Sequence, residues 1–123
     1  MGAEFRTSII NQLPAHFNID QQNSLQELFR YLESQSIVTF PDVLLLETDP
    51  GGNCFPFVEN LKQKPLWKEL IIVMIANYEN KDWKSRALKL KVHDYYTIPF
   101  PVEHLVERIG FLVKFKNFII RST

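Results

Sequence analysis

The sequence predicts an α/β three-layer sandwich, a parallel sheet held between helices. Two apolar runs carry this expectation. Val43 to Leu46 and Leu70 to Ala76 do not alternate with polar residues, so each reads as a strand buried on both faces. Segments of helical period lie between and around them, and such alternation is joined by right-handed crossovers. A chain of 123 residues, 46% hydrophobic, with ten Phe, four Tyr and two Trp, builds one core and has no room for a second domain.

The elements follow in order. A short strand is expected at Phe17–Gln21. Asn23 to Gln35 is helical, with Leu25, Leu28, Phe29 and Leu32 on one side and Ser24 with Glu27 as a capping box. Pro41-Asp42 precedes the first long strand. Phe55 to Lys64 is a short helix that turns Phe57, Val58 and Leu61 inward and tolerates Pro56 in its first turn. After the second long strand, Asp82 to Lys91 turns Trp83, Ala87, Leu88 and Leu90 inward, with Lys84, Arg86, Lys89 and Lys91 outward. A last short strand is expected at His93–Thr97. Pro101 then opens a helix carrying Leu105, Ile109 and Leu112. In such a sheet functional residues gather in loops after the strands, here Glu47–Gly52, Ala76–Asn80 and Thr97–Phe100.

Composition excludes several function classes. Fourteen Lys+Arg balance fourteen Asp+Glu, which argues against a nucleic-acid binder. No apolar run reaches the ~20 residues of a membrane span, and no export signal opens the chain. The single Cys54 forms no internal disulfide and fits a reducing cytoplasm.

Taken in order, these segments resemble response-regulator receiver domains over about residues 4 to 113. Pro41-Asp42-Val43-Leu44-Leu45-Leu46-Glu47 resembles the family's third strand, which ends in the phosphoryl-accepting aspartate. Ile71 to Ala76 resembles the fourth, which ends in Ser or Thr. Arg86-Ala87-Leu88 with Asp94-Tyr95-Tyr96-Thr97-Ile98-Pro99-Phe100 resembles the fourth helix and the fifth strand. The spacings agree, 29 residues from Glu47 to Ala76 and 51 from Glu47 to Ile98. The resemblance implies a flavodoxin-like sandwich of strand order 2-1-3-4-5 and a cis Ile98–Pro99 bond. Glu4-Phe5-Arg6 matches the opening of the family's first helix, so its first strand is missing or replaced. Asn117-Phe118-Ile119-Ile120-Arg121, in the extension over 113–123, has the composition of a replacement strand; the alternative is a last helix that runs on.

Against this family pattern the chemistry is altered. Glu47 stands for the acceptor aspartate, Ala76 for Ser/Thr and Ile98 for the lysine before Pro99. The acidic pair of the first strand is absent, which leaves Glu47 with Asp49 as a thin Mg²⁺ site. Lys91-Val92 replace a Gly-Ala pair, and Tyr95 keeps the aromatic switch position. The expectation is therefore a degenerate phosphoacceptor site (Glu47, Asp49, Ala76, Ile98, Pro99) with no metal and no cofactor. Glu47 either mimics part of a phosphoryl group's −1.5 to −2 charge or is a relic.

Other signals are weighed against plainer readings. His16, His93 and His104 are scattered and read as satisfied or exposed histidines rather than zinc ligands. Cys54 has no activating base and reads as an inert thiol. Gly51-Gly52 lacks a following Lys and reads as a turn, not a phosphate loop. The Lys84, Arg86, Lys89, Lys91 face is a solvated face or meets an acidic partner. Tyr95 and Tyr96 are either core or part of the partner face that receivers build from their fourth helix, fifth strand and fifth helix, together with Arg86 and Lys89. The expected function is a non-enzymatic regulatory or dimerising protein-interaction module of the cytoplasm within a longer polypeptide. It would bind a protein partner, a fused output domain or a second copy, and neither nucleic acid nor membrane. The rival is a working receiver that accepts a phosphoryl group from a histidine kinase; a small α/β enzyme has no catalytic constellation behind it.

Overall fold

Both long apolar runs are strands, and the helical segments fall between them. The computed structural model describes residues 3–122 apart from 16, 37, 50, 66, 68, 78 and 79, with side chains from 6 to 114. The order is α1 (Ala3–Gln12), α2 (Leu25–Ser34), β1 (Val43–Glu47), α3 (Cys54–Gln63), β2 (Ile71–Ala76), α4 (Lys81–Lys89), β3 (Asp94–Thr97) and α5 (Val102–Ser122). The sheet is parallel with order β1-β2-β3; Val43 pairs with Ile71, and Val73 with Asp94.

Strand alternation sorts the core into two layers. Leu44, Leu46, Ile72, Met74 and Tyr95 pack toward the layer of Leu32, Phe55, Val58, Leu61, Trp83 and Ala87 from α2, α3 and α4. Val43, Leu45, Ile71, Val73, Ile75 and Tyr96 pack toward Ile9 of α1 and toward Leu105, Ile109 and Leu112 of α5. Every β2 residue is buried, which explains why that run needs no alternation. Ser24 accepts from the Glu27 N–H at 3.1 Å and caps α2, while the Glu27 carboxylate accepts from the Asn23 N–H.

One expectation is corrected, and one open alternative is decided. Phe17–Gln21 is not a strand. Its β-favouring residues lack the neighbouring chain that makes a strand, and Phe17 N–H turns back to Pro14 C=O instead. Of the two readings of the tail, the running helix holds: α5 continues unbroken through Asn117–Arg121 to Ser122. No proline or glycine follows Gly110, so helix propagation continues at one hydrogen bond per residue. Among the described residues the sheet therefore has three strands, and β1 forms its edge.

Candidate functional site at the carboxyl ends of the strands

The three parallel strands end side by side at Glu47, Ala76 and Thr97, and the loops beyond them collect the residues nominated from sequence. Glu47 is half-buried at the end of β1. Its Oε2 lies 3.8 Å from the Arg6 guanidinium of α1, and Asn77 Nδ2 donates to its Oε1 at 3.4 Å. A cation does meet the acceptor position, but it comes from α1 and not from the residue before Pro99.

Asp49 plays a structural part. Its Oδ2 accepts from Asn53 N–H at 3.0 Å and its Oδ1 from Cys54 N–H at 2.9 Å. Asn53 sits at the cap position of α3 with no side-chain cap of its own, so Asp49 serves the orphan donors there. Burial pushes the Asp49 carboxyl up, yet these N–H bonds outweigh it and hold the group below the ordinary range. Gly52, at φ 72°, closes the turn by donating its N–H to Asp49 C=O, as the plain-turn reading of Gly51-Gly52 requires. Cys54 is fully buried; burial first, then the Asp49 charge, pushes its thiol up to about 11, far from a reactive thiolate.

Ala76 is fully buried and brings only a methyl group. Ile98 packs with the α1/α5 layer, and its N–H donates to Ala76 C=O at 2.8 Å. The Ile98–Pro99 bond is cis, as the resemblance implied, and Pro99 is exposed. Mg²⁺ needs several oxygens directed at one point. With Asp49 spent on two N–H groups and Glu47 turned to Arg6 and Asn77, these donors do not fit that ion.

On the flank, the two tyrosines point to opposite layers. Tyr95 is half-buried toward α4, while Tyr96 stacks on Phe100 at 4.7 Å and donates to Asp94 at 3.5 Å. Burial and the Asp94 charge raise the Tyr96 hydroxyl's pKa. Asp94 in turn accepts from Arg108 Nε of α5 at 2.7 Å. Arg86 lies with its guanidinium over the Phe55 ring at 4.3 Å, on the α3 side of α4. Lys89 is exposed, and Leu88, expected inward, is exposed as well, because α4 buries only Trp83 and Ala87. Lys91 takes φ 60°, the left-handed conformation that a glycine adopts freely. His93 Nδ1 accepts from Ile72 N–H at 3.2 Å and is a satisfied histidine; His104 is exposed, and His16 lies outside the described residues.

Sequence reasoning missed the Arg6–Glu47 pair, the Asp94–Arg108 pair and the capping by Asp49. Only the last had a local signal, an aspartate ahead of a Gly-Gly turn and a helix start.

No family model matches the chain. It is similar to the phosphate regulon transcriptional regulatory protein PhoB of Escherichia coli (strain K12), 32% identical over 71 residues, which are 57% of this chain and 31% of that protein. The same protein of Klebsiella pneumoniae matches to the same extent. The chain thus spans under a third of these curated relatives. Among solved structures, the receiver domain of a DNA-binding response regulator from Colwellia psychrerythraea 34H superposes with TM-score 0.76 at 20% identity, covering 91% of this chain and 89% of that one. The receiver domain of a histidine kinase from Syntrophus aciditrophicus gives 0.73 at 17%, over 91% and 81%. Chemotaxis protein CheY4 of Vibrio cholerae gives 0.69 at 15%, over 89% and 87%. The chain has the flavodoxin-like receiver fold, with the sheet reduced to three parallel strands among the described residues.

Proposed function

We propose that this chain is a degenerate receiver-like domain that does not take a phosphoryl group and acts as a regulatory or dimerising protein-interaction module within a longer cytoplasmic polypeptide. It is not an enzyme in this reading. The observation that carries it is the state of the acceptor position: Glu47 is engaged by Arg6 and Asn77, Ala76 ends the adjacent strand, and Ile98 follows the end of β3.

Phosphoryl transfer depends on positioning and on cations and donors that neutralise charge on the equatorial oxygens. Ala76 supplies no hydroxyl, and Ile98 no ammonium. Glu47 is one methylene longer than aspartate, and a misplacement of about 1 Å costs on the order of a hundredfold in rate.

The proposed partner surface is the flank of α4, β3 and α5. Exposed Leu88 and Phe111 give apolar contacts there, and Lys89 gives charge. Tyr95 and Tyr96 are its half-buried support rather than its contacts. A regulatory role agrees with the transcriptional regulatory name of the PhoB relatives and the response-regulator name of the Colwellia structure.

Intact-mass spectrometry after incubation with acetyl phosphate and Mg²⁺ tests the reading. The expected result is an unchanged mass. An added phosphoryl mass that disappears in Glu47→Ala overturns it and establishes a working receiver instead.

A further inference from the structure

Helix α5 turns one face away from the core. Leu105, Ile109 and Leu112 are buried, while Glu103, Glu107, Phe111 and Lys114 form an exposed line on the opposite side. Phe111 is 58% exposed although the Arg108 guanidinium lies 5.5 Å from its ring centroid. The line is divided by charge, acidic before Phe111 and basic after it, and Arg121 falls on the same side of the helix two turns beyond Lys114.

We infer that this face binds a second copy of the chain, α5 against α5 and antiparallel. A twofold axis passing between Gly110 and Phe111 sets Glu107 against the partner's Lys114, and Phe111 against the partner's Gly110. Each contact occurs twice, and a parallel pair would instead set like charges together. Within one chain, Glu103 and Glu107 stand four residues apart and repel. Neither they nor Lys114 makes an ion pair among the described residues. Gly110 supports the same arrangement. Glycine weakens a helix interior, and a Cβ there would meet nothing within 4 Å, so no contact among the described residues calls for it. A ring laid against the backbone from a second helix does. The inference rests on the dimerising part of the proposed function and gives the second copy a surface on α5, apart from Leu88 of α4. A single pair of helices is small beside the roughly 1,200–2,000 Å² of a stable interface, so the association is weak and concentration-dependent.

Sedimentation of the 123-residue chain over a range of concentrations provides the test. The expected result is a monomer–dimer equilibrium that weakens near ~1 M salt, where the screening length is about 3 Å. Glu107→Lys or Lys114→Glu alone should weaken it roughly tenfold, because each opposes like charges at both symmetric positions. The swap Glu107→Lys/Lys114→Glu should restore it to within about threefold, and Leu88→Ala should leave it unchanged. Circular dichroism checks that each variant is folded. A chain that stays monomeric throughout assigns the face to a different protein and overturns the proposal. Folded single variants that associate like wild type, or a folded swap that fails to recover, overturn it as well. None of these results bears on the acetyl phosphate test at Glu47, so failure of this contact and failure of the proposed function are read separately.

Discussion

The end of β1 and the flank of α4 use their charged side chains in opposite ways. At β1 the charges are consumed within the chain: Glu47 by Arg6 and Asn77, Asp49 by the N–H groups of α3. On α4, Lys81, Lys84 and Lys89 have no carboxylate partner among the described residues. An internally balanced cluster has little left with which to attract a ligand. A surface with free cations keeps its Coulombic reach, which extends about 8–10 Å at ordinary salt. The carboxylates at the end of β1 thus work within the chain, while the lysines of α4 face solvent.

The largest expected effect breaks the flank. Helix α4 buries Trp83 and Ala87 in the core, and Trp83 meets the Phe55 ring edge-on at 5.8 Å. Trp83→Ala should cost about 3–5 kcal/mol in urea unfolding, the range for deleting a buried large aromatic. Leu88→Ala, on the exposed side of the same helix, should stay within about 0.5 kcal/mol. Equal losses from the two would mean that the outer face of α4 is packed after all, and the contrast between the two regions would fail.

A smaller effect tests the end of β1. Asp49→Ala should destabilise by about 1–2 kcal/mol, as for loss of a helix cap. Its carboxyl is held below the ordinary range in the folded chain, so its contribution is present above about pH 4 and fades as pH falls through the lowered folded pKa. The gap between wild type and variant should therefore close in acid unfolding curves. A gap that persists below pH 2, on the order of two units under the free carboxyl, would deny Asp49 its capping role and return it to the list of candidate ligands.

How much of this was legible in the sequence follows from the range of the interactions. Val43–Leu46 and Leu70–Ala76 announced buried strands because burial on both faces is written in consecutive residues. The capping box at Ser24 and Glu27 and the turn at Gly51-Gly52 were legible for the same local reason. Phe17–Gln21 misled because β-propensity reports what a residue tolerates, while a strand also needs a neighbouring chain. The tail stayed open between strand and helix, because its Phe-Ile-Ile run is compatible with either, and the structure decides for an uninterrupted α5. At the candidate site the altered positions Glu47, Ala76 and Ile98 could be read directly, but Arg6 could not. It lies 41 residues before Glu47, with no spacing rule that joins a helix to a distant strand end.

The smallest effect sharpens the comparison at its centre, the Arg6–Glu47 pair itself. Arg6 is 37% exposed and Glu47 27%, and the atoms stand 3.8 Å apart, so solvent screens much of the attraction. A double-mutant cycle of Arg6→Gln and Glu47→Gln should give a coupling of roughly 0.2–0.5 kcal/mol at low salt, falling toward zero near 1 M, where the screening length is about 3 Å. Such a pair is too weak to hold α1 in place, yet it sets a positive charge against the carboxylate at the end of β1. Arg6→Gln should accordingly leave unfolding almost unchanged. A coupling above 1.5 kcal/mol, beyond the range of about 0.2–1 for exposed pairs, would make the pair a fastening of the fold. The end of β1 would then be built for strength, and its balanced charge would say nothing about lost chemistry.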